Sequence, residues 1–261
     1  MVTYFHPLDF TPLSARIKIE RADQHISDLN KLVQDFGESD FYSLRVENNL
    51  WSHSLRIDID QAKFPQNLAS QILGDAIHNL RSALDILFRQ AILTIPGELT
   101  GHTKFPIVGS AQKLKEVMNG GLEQQAGPII SDLIKNSIKP YPTGNDPLWA
   151  LHELDIMDKH QFVIPALKLM AFYAVRLQDD KGVEVVRDAV PVVYSESDCT
   201  VPLDLTSGNY TVKDKGHASV VILFPVGTPF EGQPIIPEIH NLREVVSGVF
   251  ESFELALNRS F

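Results

Sequence analysis

Cysteine is almost missing. Cys199 alone, in 261 residues, leaves no internal disulfide framework and no all-cysteine zinc site. Its neighbours Ser195-Glu196-Ser197-Asp198 would raise the thiol pKa, so it is not a candidate nucleophile. Basic residues are scarce: 23 Lys and Arg stand against 33 Asp and Glu, a formal net charge of −10. Such a chain repels phosphate backbones, which disfavours nucleic acid as a partner. No apolar run approaches the roughly 20 residues needed to span a bilayer. The opening MVTYFHPLDF has neither the basic nor the apolar region of a signal peptide, so a soluble cytoplasmic protein is expected. No G-x-G-x-x-G or G-x-x-x-x-G-K phosphate loop, no G-x-S-x-G elbow and no H-E-x-x-H occurs.

What is present is a sharp change of periodicity along the chain. Thr11-Pro12 opens a helix, with Thr11 as cap, whose apolar seam is Ile19, Ala22, Ile26, Leu29, Val33 and Phe36; Gly37 stands where a C-cap belongs. The seam must be covered, within the chain or in a homodimer. Residues 41–60 alternate with period two around Asn48-Asn49 and read as a hairpin. A long helix follows from Pro65 to about Ile95, ended by Pro96-Gly97. After it an apolar Phe105-Pro106-Ile107 plugs part of the core, and shorter helices fit 110–118 and 128–138, separated by Gly120-Gly121. Asp146-Pro147 starts another helix to about Gln161, with the aspartate as cap. Strands are expected at 166–178, 183–194, 198–204, 209–213 and 218–226, with a turn at Asp179–Gly182, before a last helix from Pro237 to about Asn258. This order predicts a single α+β domain over 1–261. A helical and hairpin part spans 1–162, a strand-rich part 163–230 and a C-terminal helix 235–260. The long N-terminal, central and C-terminal helices form a layer on a mostly antiparallel sheet.

Two segments carry chemistry. In Gly74–Asp85 the helical wheel puts Leu73, Ala76, Ile77, Leu80, Ala83 and Leu84 on one side and Asp75, His78, Arg81, Ser82, Asp85 and Arg89 on the other. A D-x-x-H pair such as Asp75 and His78 can ligate a metal or run acid/base chemistry. The plainer alternative is a solvated face with Asp85 paired to Arg81 or Arg89. The second segment, Leu148–Gln161, is apolar all round the wheel and so reads as buried, yet holds His152, Glu153, Asp155, Asp158, Lys159 and His160. Glu153 and His160 share one face, and His152, Asp155 and Lys159 another. Buried charges must be paired or ligated, so either a salt-bridge network or a polar pocket follows. The two helices are expected to pack together, with Asp75, His78, Arg81, Asp158 and His160 as the candidate catalytic set. No metal ligand is assigned, and cofactor and small-molecule ligand stay unknown. The stretch Ile77–Arg81 recurs as Ile239–Arg243, an echo between two amphipathic helices.

The pair G-D-A-I-H-N-L-R-S-A-L-D and L-H-E-L-D-x-x-D-K-H, with F-P-I between, resembles a widespread family of bacterial proteins of about this length whose function is uncharacterised; the likeness spans residues 73–165. That family's pattern continues L-R-S-A-L-D-H-L, where this chain has Ile86. With the histidine, the Arg-x4-His spacing resembles the signature of HEPN-type ribonucleases. Here Arg81 is present and Ile86 cannot act as acid or base, and HEPN domains are all-helical. Three functional readings follow: a non-catalytic ligand-binding or interaction protein with a polar network between the motif helices, a hydrolase or lyase using the Asp/His/Arg cluster, and a degenerate HEPN-like protein.

Overall fold

The computed structural model describes residues 10–49, 51–94, 103–192 and 200–258. The expectations for Cys199, the opening residues, Ile95 to Gly97, residues 193–194 and 198–199 of two strands, and residues 259–260 of the C-terminal part lie outside them. The element order is α1 (Leu13–Glu38), β1 (Tyr42–Asn48), β2 (His53–Ile59), α2 (Gln66–Leu93), α3 (Ala111–Val117), α4 (Glu123–Asp132), α5 (Asp146–His160), β3 (Ala166–Asp179), β4 (Glu184–Pro191), β5 (Thr200–Leu203), β6 (Tyr210–Asp214), β7 (His217–Leu223) and α6 (Ile235–Asn258). It is a mixed α+β fold with helices packed on antiparallel strands, and no helix among the described residues is long and apolar enough to cross a membrane.

The seam of α1 is buried along its whole length within the chain. It lies on α2 and also meets α6 and β7. Two sequence expectations shift at its ends. The helix starts at Leu13, with Pro12 rather than Thr11 at the cap position and no side-chain cap bond. Gly37 is not the C-cap but a buried residue of the last turn, because a Cβ there would come within 3.2 Å of the Ala218 carbonyl oxygen on β7. Glycine here lets a helix approach a strand closely.

The strands form two antiparallel groups, in the orders β1-β2-β5 and β4-β3 with β6 and β7 both along β3. Asn48 joins the groups: its side chain donates to the Tyr210 carbonyl and accepts the Tyr210 N–H, both at 2.9 Å, copying a strand pairing. Between β6 and β7 the chain turns at Gly216, φ +63°, where a Cβ would collide with the Tyr173 carbonyl oxygen. The Asp179–Gly182 turn forms as expected, with Asp179 Oδ1 accepting the N–H groups of Lys181 and Val183.

From Ala111 to Ile138 the chain is helical but kinked. Wide-turn segments Met118–Leu122 and Leu133–Ile138 continue α3 and α4, and Gly121 and Gly127 carry positive φ where the path bends. Gly121 thus separates the two helices as expected, at a bend, and Gly127 adds a second break. The cap of α5 also moves by one: Asn145 Oδ1 accepts the Leu148 N–H, while Asp146 accepts the N–H of Thr143. α5 packs on α2 and α6.

Candidate functional site

α5 is not buried all round. Leu148, Leu151, Leu154 and Asp155 face inward, whereas Ile156 is exposed and Trp149 and Met157 are half-buried. The inward row brings one of the two polar faces onto α2. Asp155, with its side chain only 4% exposed, accepts a hydrogen bond from His78 Nδ1 at 3.0 Å and one from Lys159 Nζ. His78 is itself held by Ser82, whose hydroxyl stands 3.3 Å from Nε2. A buried carboxylate thus meets two cationic or imidazole groups whose other sides reach solvent, which is the cheap way to bury a charge.

Asp158, one of the candidate catalytic residues, lies one turn further along and is half-buried. It packs against Gly74, where a Cβ would stand within 2.6 Å of Oδ1. Glycine at 74 is therefore what admits the carboxylate to the helix surface. Asp158 accepts the Val163 N–H, but its Oδ1 has no hydrogen-bond partner among the described residues. Burial raises its pKa from the ordinary aspartate value, the nearby Asp155 and Asp75 add to this, and the Val163 N–H and His78 oppose it. Asp75 is exposed on α2. His160 is exposed at the end of α5. The structure thus gathers His78 and Asp158 around Asp155, and leaves His160 on the surface.

Arg81 departs from the expected solvated face. Its side chain is 7% exposed because the 103–108 segment lies over it. Nη1 donates to Asp85 Oδ1 at 2.6 Å and Nη2 to the Phe105 carbonyl at 3.1 Å, while Asp85 Oδ1 accepts the Phe105 N–H at 2.9 Å. Arginine and aspartate together clip both backbone polar atoms of Phe105. That clip seats the Phe105 ring, 1% exposed, edge-on to Phe88 and beside Phe253. The F-P-I plug is thereby fixed to α2. At position 86 the isoleucine is half-buried against the core.

Next to the clip lies a cavity of about 400 Å³, whose walls include Arg81, Lys104, Phe105, Val117, Gln125 and His152. His152, from α5, has a buried Nδ1 with no hydrogen-bond partner among the described residues. Its pKa is lowered, first by burial and then by the Arg81 charge, so the imidazole is held neutral. His152 is not among the candidates the sequence pattern singles out; the signal for it is its sharing a face with Asp155 and Lys159, the face that α2 receives. Among the described residues no group of three or more His, Cys, Asp or Glu side chains is placed to hold a metal ion.

The echo between α2 and α6 does not make a second site. Ile239 and Leu242 are buried as Ile77 and Leu80 are, but Arg243 pairs with Asp23 of α1 at 2.9 Å and His240 is exposed. No family model matches the chain, and neither the curated proteins nor the solved structures give a match.

Proposed function

We propose that this chain is a non-catalytic ligand-binding protein whose cavity is bounded by α2, α5 and the 103–108 segment. One observation carries the reading: the Arg81–Asp85 pair is spent on the backbone of Phe105, so the side chains that resemble a catalytic set hold a wall in place. The His78–Asp155–Lys159 cluster does the same for α5, fixing the helix that supplies His152. Both motifs of the resembled bacterial family contribute to this wall, so the proposal extends to that family. The reading keeps the cytoplasmic location expected from the sequence. A homodimer would need a surface other than the α1 seam, which is covered within the chain.

A second reading is favoured by His152. His152 lines the cavity as a neutral imidazole, a candidate general base, so a hydrolase or lyase centred on His152 rather than His160 is the alternative. The HEPN-like reading needs an acid or base at position 86, where the chain has an isoleucine half-buried against the core. A fragment screen on methyl-labelled protein separates the first two readings. Binding that moves the methyl signals of Ile107, Val108 and Val117, with every fragment recovered unchanged, supports a binding protein. Fragment turnover that is lost in His152→Asn would replace it with the enzyme.

A further inference from the structure

We propose that the cavity beside Arg81 is a receptor for a small organic monoanion, a carboxylate carried on a compact apolar body. This rests on the binding reading above and names its ligand class. The first support is charge. Although the chain as a whole is acidic, the described residues lining this cavity include Arg81 and Lys104 and no carboxylate. Asp85 sits behind Arg81 and cancels one positive charge. With His152 neutral, the balance at the cavity is close to a single positive charge, which suits a monoanion better than a doubly charged phosphate.

The second support is hydrogen-bonding capacity. The guanidinium has five N–H donors, of which the described residues take two. His152 Nδ1 is buried without a partner, and a buried polar atom is normally satisfied. A carboxylate has two oxygens, each able to accept more than one donor, and can meet the remaining Arg81 N–H groups and Lys104 together, and His152 Nδ1 where the imidazole turns toward it. The rest of the lining fixes the other end of the ligand. Phe105, Pro106, Ile107, Val117 and Leu122 are apolar, and a cavity of about 400 Å³ lies at the small end of ligand sites.

The test uses four probes on the full chain: benzoate, benzyl alcohol, benzylamine and inorganic phosphate. Affinity is read by calorimetry, and position by the methyl signals of Ile107, Val108 and Val117. The expected result is that benzoate moves those signals and binds at least tenfold more tightly than benzyl alcohol, with benzylamine weaker still. Lys104→Met, an exposed position that leaves the fold intact, should weaken benzoate at least threefold and leave benzyl alcohol unchanged. His152→Phe, checked for folding by circular dichroism, should also weaken benzoate. Benzyl alcohol binding at the same methyls as tightly as benzoate overturns the anion assignment and leaves the cavity reading standing. Phosphate binding more tightly than benzoate overturns the monocarboxylate. If none of the probes moves those methyls at about 10 mM, above the range where a fragment of this size should register, both readings fall.

Discussion

Replacing Arg81 by leucine removes one half of the Phe105 clip and leaves the other. The charge-assisted bond to Asp85 is worth about 1.5–3 kcal/mol, and the bond to the Phe105 carbonyl, which keeps the Ile107 N–H at 3.0 Å, about 1 kcal/mol more. Asp85 still accepts the Phe105 N–H, and its side chain is 30% exposed, so part of its charge stays hydrated. That places the total near the lower end of the cost of breaking a buried pair, about 3 kcal/mol. For a chain of this size the loss corresponds to a melting temperature lower by about 6–12 °C. Urea unfolding followed by the fluorescence of half-buried Trp149 measures it, in a Trp51→Phe background because Trp51 is 95% exposed. Arg81→Lys keeps the charge but not the fork that reaches Asp85 and the carbonyl together, so it should recover less than half of the loss. The double change Arg81→Leu with Asp85→Leu should lose less than the sum of the single changes, by about 1.5 kcal/mol. A loss below about 1 kcal/mol for Arg81→Leu, the size of an exposed pair, would refute the clip.

Asp158→Asn should leave the protein as stable as the parent or more so at pH 7–8, because it keeps an acceptor for Val163 and removes a desolvated charge. Since the folded pKa is raised, the parent gains stability relative to the variant as pH falls through that pKa toward the ordinary aspartate value. Denaturation at pH 8 and pH 4 that shows no narrowing of the difference would count against a buried carboxylate. Gly74→Ala should cost about 1–3 kcal/mol through the clash with Asp158. In an Asp158→Ala background the same change should instead stabilise by up to about 1 kcal/mol, the helix propensity of alanine over glycine, and a cost that survives there would place the strain elsewhere. Ile26→Asp with Leu29→Asp should abolish cooperative unfolding, because each buries an unpaired charge at a position no more than 1% exposed; a folded monomer in light scattering would show the seam to be an interface between chains.

Periodicity made the fold readable. The seam of α1 and the inward row of α2 each repeat every three or four residues over many turns, and the strands after Ile164 alternate or cluster β-branched residues between clear turn signals. Helix ends were less legible, since Thr11, Gly37 and Asp146 all satisfy the usual capping preferences. Gly37 shows why: the demand it answers is the nearness of Ala218, a neighbour 181 positions away that no local pattern contains.

The site divides along the same line. The charges on α5 require that α2 and α5 meet, but two polar rows compete to face the partner, and His160 belongs to the row that turns outward. The choice is made by Leu148, Leu151 and Leu154, which lie beside His152, Asp155 and Lys159 and carry that row into the junction. Arg81 is harder still. On the wheel of α2 it belongs to the polar face with Asp75 and Arg89, both exposed. Its burial comes from chain 24 residues further on, folded back so that Phe105 can fill the core between Phe88 and Phe253. A buried aromatic ring brings its backbone N–H and carbonyl inside with it, and those groups need partners away from water. An arginine four residues before an aspartate on one helix face offers a donor and an acceptor side by side, which is the pair that one residue's backbone requires. The clip is thus the polar consequence of an apolar plug, and Arg81 and Phe105, which make it, also line the cavity beside it.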